Sequence, residues 1–293
     1  MNRNATAFAP AKVNLYLHVT GRRADGYHLL DSLVAFADIG DEVSATTAPD
    51  FSLAIGGPEA AALDSLGDDN LALRSARRLA SYYGIDSGAA LRLEKRLPVA
   101  AGIGGGSSDA AAAARALARL WGRSLDDGAA LALAELGADI PACLAAAPVW
   151  VGGIGEELAT AEGLPEAGIV LANPRRPLPT AAVFRARTGP FGRPARFIPM
   201  PADAAGLAVA LSERRNDLIE AAIGLVPEIA AVLDRLGHLP GALVARMSGS
   251  GATCFALFAD HAAARRAGNI LATAEPGWWS AAGRLLPRST DPG

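Results

Sequence analysis

The run Leu97-Pro98-Val99-Ala100-Ala101-Gly102-Ile103-Gly104-Gly105-Gly106-Ser107-Ser108-Asp109 leads directly into the alanine-rich stretch Ala110–Leu117. Glycine lets backbone approach a ligand closely and adopt positive φ. A helix N-terminus supplies unpaired N–H groups and a partial positive charge, which suits phosphate. Ser107 and Ser108 add hydroxyls that can bond orphan amides, a phosphate or a metal. The segment therefore reads as a candidate polyphosphate cradle. No Gly-Lys-[Ser/Thr] closes it, so it is not a Walker A loop. The plain alternative is a glycine-rich turn with a serine N-cap, and the glycine density exceeds what a cap needs.

Two further residues could take part in chemistry. Asp139, in Gly137-Ala138-Asp139-Ile140-Pro141, stands at a loop or helix start. A carboxylate there can accept a hydroxyl proton as general base, or it can cap the next helix. Lys12 lies in a strand pattern that is otherwise apolar or neutral. It can lower the effective pKa of an attacking hydroxyl or hold an aspartate charged, or it can be a snorkelling edge lysine.

The elements that must position these groups are mixed. The chain has 293 residues, 51% hydrophobic and 19% charged, which is enough for a sizeable core in one large or two medium domains. Its net charge of −3 argues against a nucleic-acid or anionic-membrane partner, which would want a basic footprint. Cys143 and Cys254 are isolated and make neither a disulfide framework nor a zinc site, so a reduced, cytoplasmic setting is expected. Met1–Pro10 lacks the pattern of a signal peptide, and no apolar stretch reaches the roughly 20 residues of a membrane span.

Alternation predicts a strand over Val13–Val19, a turn at Gly21–Gly26, an apolar ordered stretch over Leu29–Ile39, and short strands at Glu42–Thr47, Phe51–Ile55 and Leu91–Leu93. Asn70 is placed to cap a helix through about Tyr83, and Leu125–Leu136 reads as a helix stopped by Gly137. Strands are expected at Val149–Gly153, Ile169–Ala172, Ala242–Met247, Ala252–Phe258 and Trp278–Leu286. Helices are expected at Thr180–Arg185, Ala204–Leu211, Asp217–Ile223, Pro227–Leu236 and Ala262–Ala272. Arg187–Pro201 is Pro/Gly-rich and reads as a mobile surface loop. Pro174–Pro179 marks a composition shift, which divides the chain at 1–173 and 174–293. The fold class is α+β in two lobes.

Three segments in order, Pro10-Ala11-Lys12-Val13-Asn14-Leu15 with Gly21–His28, the glycine-rich loop, and Ser248-Gly249-Ser250-Gly251-Ala252-Thr253, resemble the GHMP kinase superfamily of galacto-, homoserine, mevalonate and phosphomevalonate kinases. Arg23-Ala24-Asp25-Gly26-Tyr27-His28, Gly104–Ala111 and Gly137–Pro141 narrow the resemblance to members acting on a cytidine-bearing alcohol in isoprenoid precursor synthesis. The resemblance runs from about Pro10 to Phe258. It implies a ribosomal protein S5 domain 2-like N-terminal lobe, a ferredoxin-like C-terminal lobe, and ATP with Mg²⁺.

It further implies Asp139 as base paired with Lys12, ATP phosphates on Pro98–Ser108, and Mg²⁺ near Ser107 or Ser108. Asn70 and Lys95 match positions near the adenine, though Asn70 serves equally as a helix cap. Asn14, Tyr27, His28, Thr180 and Phe184 match the substrate site. Tyr27 and Phe184 could sandwich a cytosine ring, with His28 on the pyrimidine edge. A hairpin exit and a core aromatic are the alternatives. Ser248, Gly249, Ser250 and Gly251 form the third motif, or merely a tight hairpin. Asp109 stands where the family carries Asp or Asn. Ala145–Pro148 and Arg187–Pro201 match poorly. The rivals are another kinase of the superfamily, homoserine or mevalonate type, and a nucleotide-binding regulator that has lost catalysis.

Overall fold

The computed structural model describes residues 4–63 and 67–287. The chain begins with a long antiparallel hairpin, β1 (Asn4–Arg22) and β2 (His28–Ala48). β2 runs unbroken through Asp38-Ile39-Gly40-Asp41, so the two stretches expected over Leu29–Thr47 are one strand. β3 (Ser52–Gly56), α1 (Leu71–Tyr83) and β4 (Gly88–Glu94) follow as a crossover, with β3 parallel to β4 and β4 antiparallel to β2. Then come α2 (Gly105–Trp121), α3 (Asp127–Ala134), α4 (Ile140–Ala145), β5 (Val149–Gly152) and β6 (Glu157–Thr160). Ala110 to Ala114 of α2 are all fully buried, and their small side chains let the helix lie close on β1, β2 and α1.

The second half contains β7 (Gly168–Asn173), α5 (Thr180–Ala186), α6 (Ala204–Ser212), α7 (Ile219–Leu225), α8 (Glu228–Gly237), β8 (Val244–Met247), β9 (Cys254–Phe258), α9 (His261–Ala274) and β10 (Trp279–Leu286). Its strands lie in the order β10-β7-β9-β8, all antiparallel, which is the 4-1-3-2 order of a ferredoxin-like sheet. β7 thus pairs within the second sheet. β10 also pairs with β2 through Leu285↔Ala37 and Leu286↔Phe36, so one strand joins both sheets. Among the described residues no helix is long and apolar enough to cross a membrane.

The segment 187–201 has no regular structure, as expected, but it is fastened to β1 and β2. Gly192 N–H donates to Val19 C=O at 2.8 Å. The buried Asp31 carboxylate accepts from Ala195 N–H at 2.7 Å, Tyr16 O–H at 2.8 Å and Arg196 Nε at 3.3 Å. His18 Nε2 accepts from Arg215 N–H, which leaves its Nδ1 to donate to Arg193 C=O, both at 3.2 Å.

One buried ionic cluster fixes both stems of the glycine-rich loop. The Lys95 ammonium, just after β4, contacts Asp41 of β2 at 2.6 Å and Asp109 of α2 at 2.7 Å, with all three side chains buried. The other Asp41 oxygen accepts Arg96 N–H at 2.6 Å and Leu97 N–H at 2.8 Å, where the loop begins. The cluster holds two carboxylates for one ammonium. Burial, reinforced by the Asp41 charge, raises the Asp109 carboxyl well above its ordinary range against the pull of Lys95. Asp109 Oδ1 has no hydrogen-bond partner.

A proton held more tightly in the fold than in the unfolded chain makes stability fall as pH rises from about 4 toward that raised value. We expect Asp109→Asn to remove this slope and to leave stability near neutral pH unchanged or higher. Asp41→Asn should cost roughly 3 kcal/mol or more, because the amide keeps only one of the two acceptor oxygens and loses the charge, so either the loop amides or the buried ammonium goes without its Asp41 partner. Urea denaturation across the acid to neutral range checks both; a wild-type slope retained in Asp109→Asn would contradict the assignment.

Candidate active site

Lys12 sits on β1 between two irregularities of register, at Pro10/Ala11 and Asn14/Tyr16. Such bulges re-aim side chains, and here they bracket Lys12 and Asn14. The Lys12 amide donates to Ile103 C=O at 3.0 Å, which ties the strand to the loop. Its ammonium meets Asp139 Oδ1 at 2.6 Å. Asp139 occupies the N-cap position of α4, so the helix start allowed for it in the sequence is present, yet its side chain makes no capping bond. The capping alternative for Asp139 is therefore not adopted: the carboxylate is given to Lys12.

The loop is held from the opposite side by the third motif. Gly102 has φ +73°, and a Cβ there would lie 2.5 Å from Gly251 O. No other residue fits that approach. Ser248 Oγ accepts Asn14 N–H at 3.1 Å and donates to Gly102 C=O at 3.0 Å, and Thr253 N–H donates to Ala101 C=O at 3.1 Å. The third motif is thus both a β8–β9 hairpin loop and a brace for the glycine-rich loop. Gly104, with φ +63°, is the N-cap of α2 and presents no side chain to the first-turn amides. They are left for an anion.

The two serines have different positions. Ser108 is fully buried and its Oγ donates to Pro10 C=O at 2.6 Å. This takes Ser108 out of the expected pair of metal-facing hydroxyls; Ser107 lines the cavity. Ile103, expected among the phosphate-binding residues, turns its side chain into the core. Pro98–Gly102 and Gly104–Ser107 line the cavity. Asn70 caps α1, its Oδ1 accepting Ala72 N–H at 2.9 Å, and also lines the cavity beside Leu71. Lys95 reaches the same wall, with its ammonium already held by two carboxylates.

The cavity spans both lobes and has a volume of about 1270 Å³, room for two ligands rather than one. Its other end holds the remaining expected residues. His28 and Phe184 stack with ring centroids 5.2 Å apart and 26° between planes. Tyr27 stands 62% exposed at the rim, so the ring facing Phe184 here is His28 rather than Tyr27. Burial, with the charges of Arg22 and Arg187, lowers the His28 pKa and favours the neutral imidazole. Asn14 Nδ2 donates to Ser32 Oγ at 2.8 Å, and Thr180 Oγ1 bonds Ser250 Oγ at 2.9 Å. Arg22, Arg185 and Arg187 also line the cavity; sequence pattern did not single them out, since isolated arginines carry no spacing signal.

Among the described residues no group of three or more His, Cys, Asp or Glu is placed to hold a metal ion. Cys143 and Cys254 are free and buried. Burial pushes the Cys143 thiol up to about 12.

Comparison with known proteins bears on this arrangement. Residues 70–147 match the GHMP kinases N terminal domain and residues 202–276 the GHMP kinases C terminal domain. A 4-diphosphocytidyl-2-C-methyl-D-erythritol kinase of Paramagnetospirillum magneticum is 51% identical over 95% of this chain and 97% of its own length. That of Rhodospirillum rubrum is 54% identical over 95% and 91%. A crystal structure of a 4-(cytidine 5'-diphospho)-2C-methyl-D-erythritol kinase superposes with TM-score 0.79 at 35% identity, covering 96% and 98%. A homoserine kinase structure from Cytophaga hutchinsonii, TM-score 0.70 at 19% identity over 98% and 95%, shares the fold. A two-lobed α+β chain with this loop, this lysine–aspartate pair and these relatives belongs to the GHMP kinases and, within them, to the 4-diphosphocytidyl-2-C-methyl-D-erythritol kinase family.

Proposed function

We propose that the chain transfers the γ-phosphoryl group of ATP to the 2-hydroxyl of 4-diphosphocytidyl-2-C-methyl-D-erythritol, in the non-mevalonate route to isoprenoid precursors. The observation that carries the mechanism is the Lys12–Asp139 contact at 2.6 Å beside the helix-opening loop. Phosphoryl transfer needs alignment, charge neutralisation and a proton acceptor more than covalent help. Asp139 takes the proton of the substrate hydroxyl as its oxygen bonds to the γ-phosphorus. The bond from that phosphorus to the β–γ bridging oxygen breaks, and ADP leaves. Lys12 holds Asp139 in place through their 2.6 Å contact, and its charge stabilises the developing negative oxygen.

The phosphates of ATP rest on the amides at the start of α2, with the adenine toward Asn70, Leu71 and Lys95. The donor set suits Mg²⁺ held mainly by phosphate oxygens and water, with Ser107 Oγ as the protein ligand. When bound, the ion neutralises phosphate charge. The cytidyl group lies at the Tyr27, His28 and Phe184 end, with Asn14 and Thr180 toward the alcohol. Division into lobes just ahead of β7, which pairs within the second sheet and so moves the boundary back from the expected 173/174, a cytoplasmic location, and small-molecule partners without nucleic acid or membrane complete the reading. Relatives more than 50% identical over most of the chain favour it over a homoserine or mevalonate kinase.

A coupled ADP-release assay with the cytidyl substrate, homoserine and mevalonate tests the assignment. Turnover is expected on the cytidyl substrate alone; turnover only on another alcohol would overturn it. Asp139→Asn should lower kcat by roughly 10²–10⁴-fold while ATP still binds. Unchanged turnover would remove Asp139 from the reaction. Ser107→Ala should raise the Mg²⁺ concentration needed for half-maximal rate, whereas Ser108→Ala should chiefly lower stability, by about 1–3 kcal/mol, through the orphaned Pro10 carbonyl. A magnesium titration of both variants distinguishes these effects.

A further inference from the structure

Five cationic side chains line the cavity among the described residues, and they fall into two kinds. Lys12 is paired with Asp139, and Lys95 with Asp41 and Asp109. Arg22, Arg185 and Arg187 have no carboxylate partner among the described residues. Asp25, on the same turn as Arg22, is taken by Arg23 at 2.8 Å. The three arginines converge from two elements. Arg22 ends β1 opposite His28 in the β1–β2 register. Arg185 and Arg187 belong to α5 and the residue after it, alongside Phe184. Arg22 is held by Nε donating to Gly26 C=O at 3.1 Å. Arg187 donates to Gly189 C=O at 2.7 Å and to Pro190 C=O, with its guanidinium 5.2 Å from the Phe191 ring centroid, while its buried Nε has no partner. Arg22 and Arg187 stand near enough to His28 for their charges to add to burial in lowering its pKa. The chain is otherwise acidic, at −3, so a cluster of unpaired positive charge at one end of the cavity runs against its overall balance.

We propose that Arg22, Arg185 and Arg187 form an anion-recognising collar at the His28–Phe184 end of the cavity, drawing in and holding the substrate through its diphosphate. This rests on the cytidyl reading above. A base stack alone cannot tell a nucleoside from its diphosphate ester. Guanidinium groups read phosphate by paired, charge-assisted hydrogen bonds and by their field over the entrance. The ATP phosphates have a separate seat, on the amides at the start of α2.

The test compares cytidine 5'-diphosphate with cytidine by isothermal titration calorimetry, on the wild type and on the Arg22→Gln, Arg185→Gln, Arg187→Gln triple variant. The wild type is expected to bind the diphosphate at least about tenfold more tightly than cytidine, and the triple variant to lose most of that gap. Retained cytidine binding shows that the variant is folded. Arg22→Gln with Arg185→Gln, which spares the loop contacts of Arg187, should lose part of the gap if the triple variant does not fold. Added salt should weaken diphosphate binding in the wild type far more than in the variant. Equal affinity of the wild type for both ligands, or a gap that survives the substitutions, overturns the collar and leaves the cytidyl site standing. No binding of either ligand to the wild type overturns the cytidyl reading and the collar with it.

Discussion

The Lys95 ammonium, buried between Asp41 and Asp109, determines where the glycine-rich loop begins and where its helix starts. A loop of glycine and alanine has few side chains with which to anchor itself. It gains close approach to a ligand and loses the usual means of holding a shape. The anchors must therefore come from outside it. Asp41 takes the first two amides of the approach, Asp109 fixes the first turn of α2, and one cation joins them. Amides used to bind phosphate are effective only when already oriented, so the cost of ordering falls on folding rather than on each turnover.

The remaining constraints on the loop come from the other lobe. Ser248 bridges Asn14 of β1 and Gly102 of the loop, and the Gly102 backbone packs against that of Gly251. A side chain at Gly102 would push the loop off the Gly251 backbone, and one at Gly251 would meet Met247 Sδ at 2.8 Å within its own lobe. β10, paired with β2 and β7, and Trp279, whose indole N–H donates to Arg96 C=O at 2.9 Å, bind the lobes at the loop's entry. The Lys12–Asp139 pair and the glycine-rich loop are thus positioned by contacts that cross the molecule, although each residue comes from a short local motif.

That distinction explains what could be read from the sequence. α1, with Asn70 as its cap, and the antiparallel strands around the third motif were legible because their signals are local: a capping residue, alternation, a Ser-Gly turn. β2 reads as two stretches because Asp38, Gly40 and Asp41 interrupt the apolar pattern, whereas the pairing with β1 carries the strand through them. α4 is legible only as a possible helix start at Asp139, because six residues containing Pro141 offer no period from which to read its extent. The loop is read from residue type and order, and the pairing of Lys12 with Asp139 from the family resemblance. The separate positions of Ser107 and Ser108 are not legible, since a hydroxyl facing a cavity and one facing the Pro10 carbonyl are adjacent letters. Asp109 passed as an ordinary position for the same reason: its partners Asp41 and Lys95 meet it only after folding. The segment 187–201 looked mobile because its fastenings, Asp31, His18 and Val19, lie far away in sequence.

Asp139 shows how the local rules yield to the site. An aspartate at an N-cap ordinarily accepts an amide of the first turn, an interaction worth about 1 kcal/mol. At α4 that bond is absent, and the carboxylate turns to Lys12 instead. The helix gives up its cap and keeps its place by burying Ile140, Ala142 and Cys143. A similar exchange occurs at Gly104, where α2 starts without a side-chain cap and its amides stay available. The two N-termini differ: at α4 Ile140 N–H donates to Gly137 C=O at 3.1 Å and Pro141 has no N–H, whereas the first-turn amides of α2 have no side-chain cap. Asp139 and Gly104–Gly106 line the cavity, and a cavity wall is where departures from local consistency are expected in a functional protein.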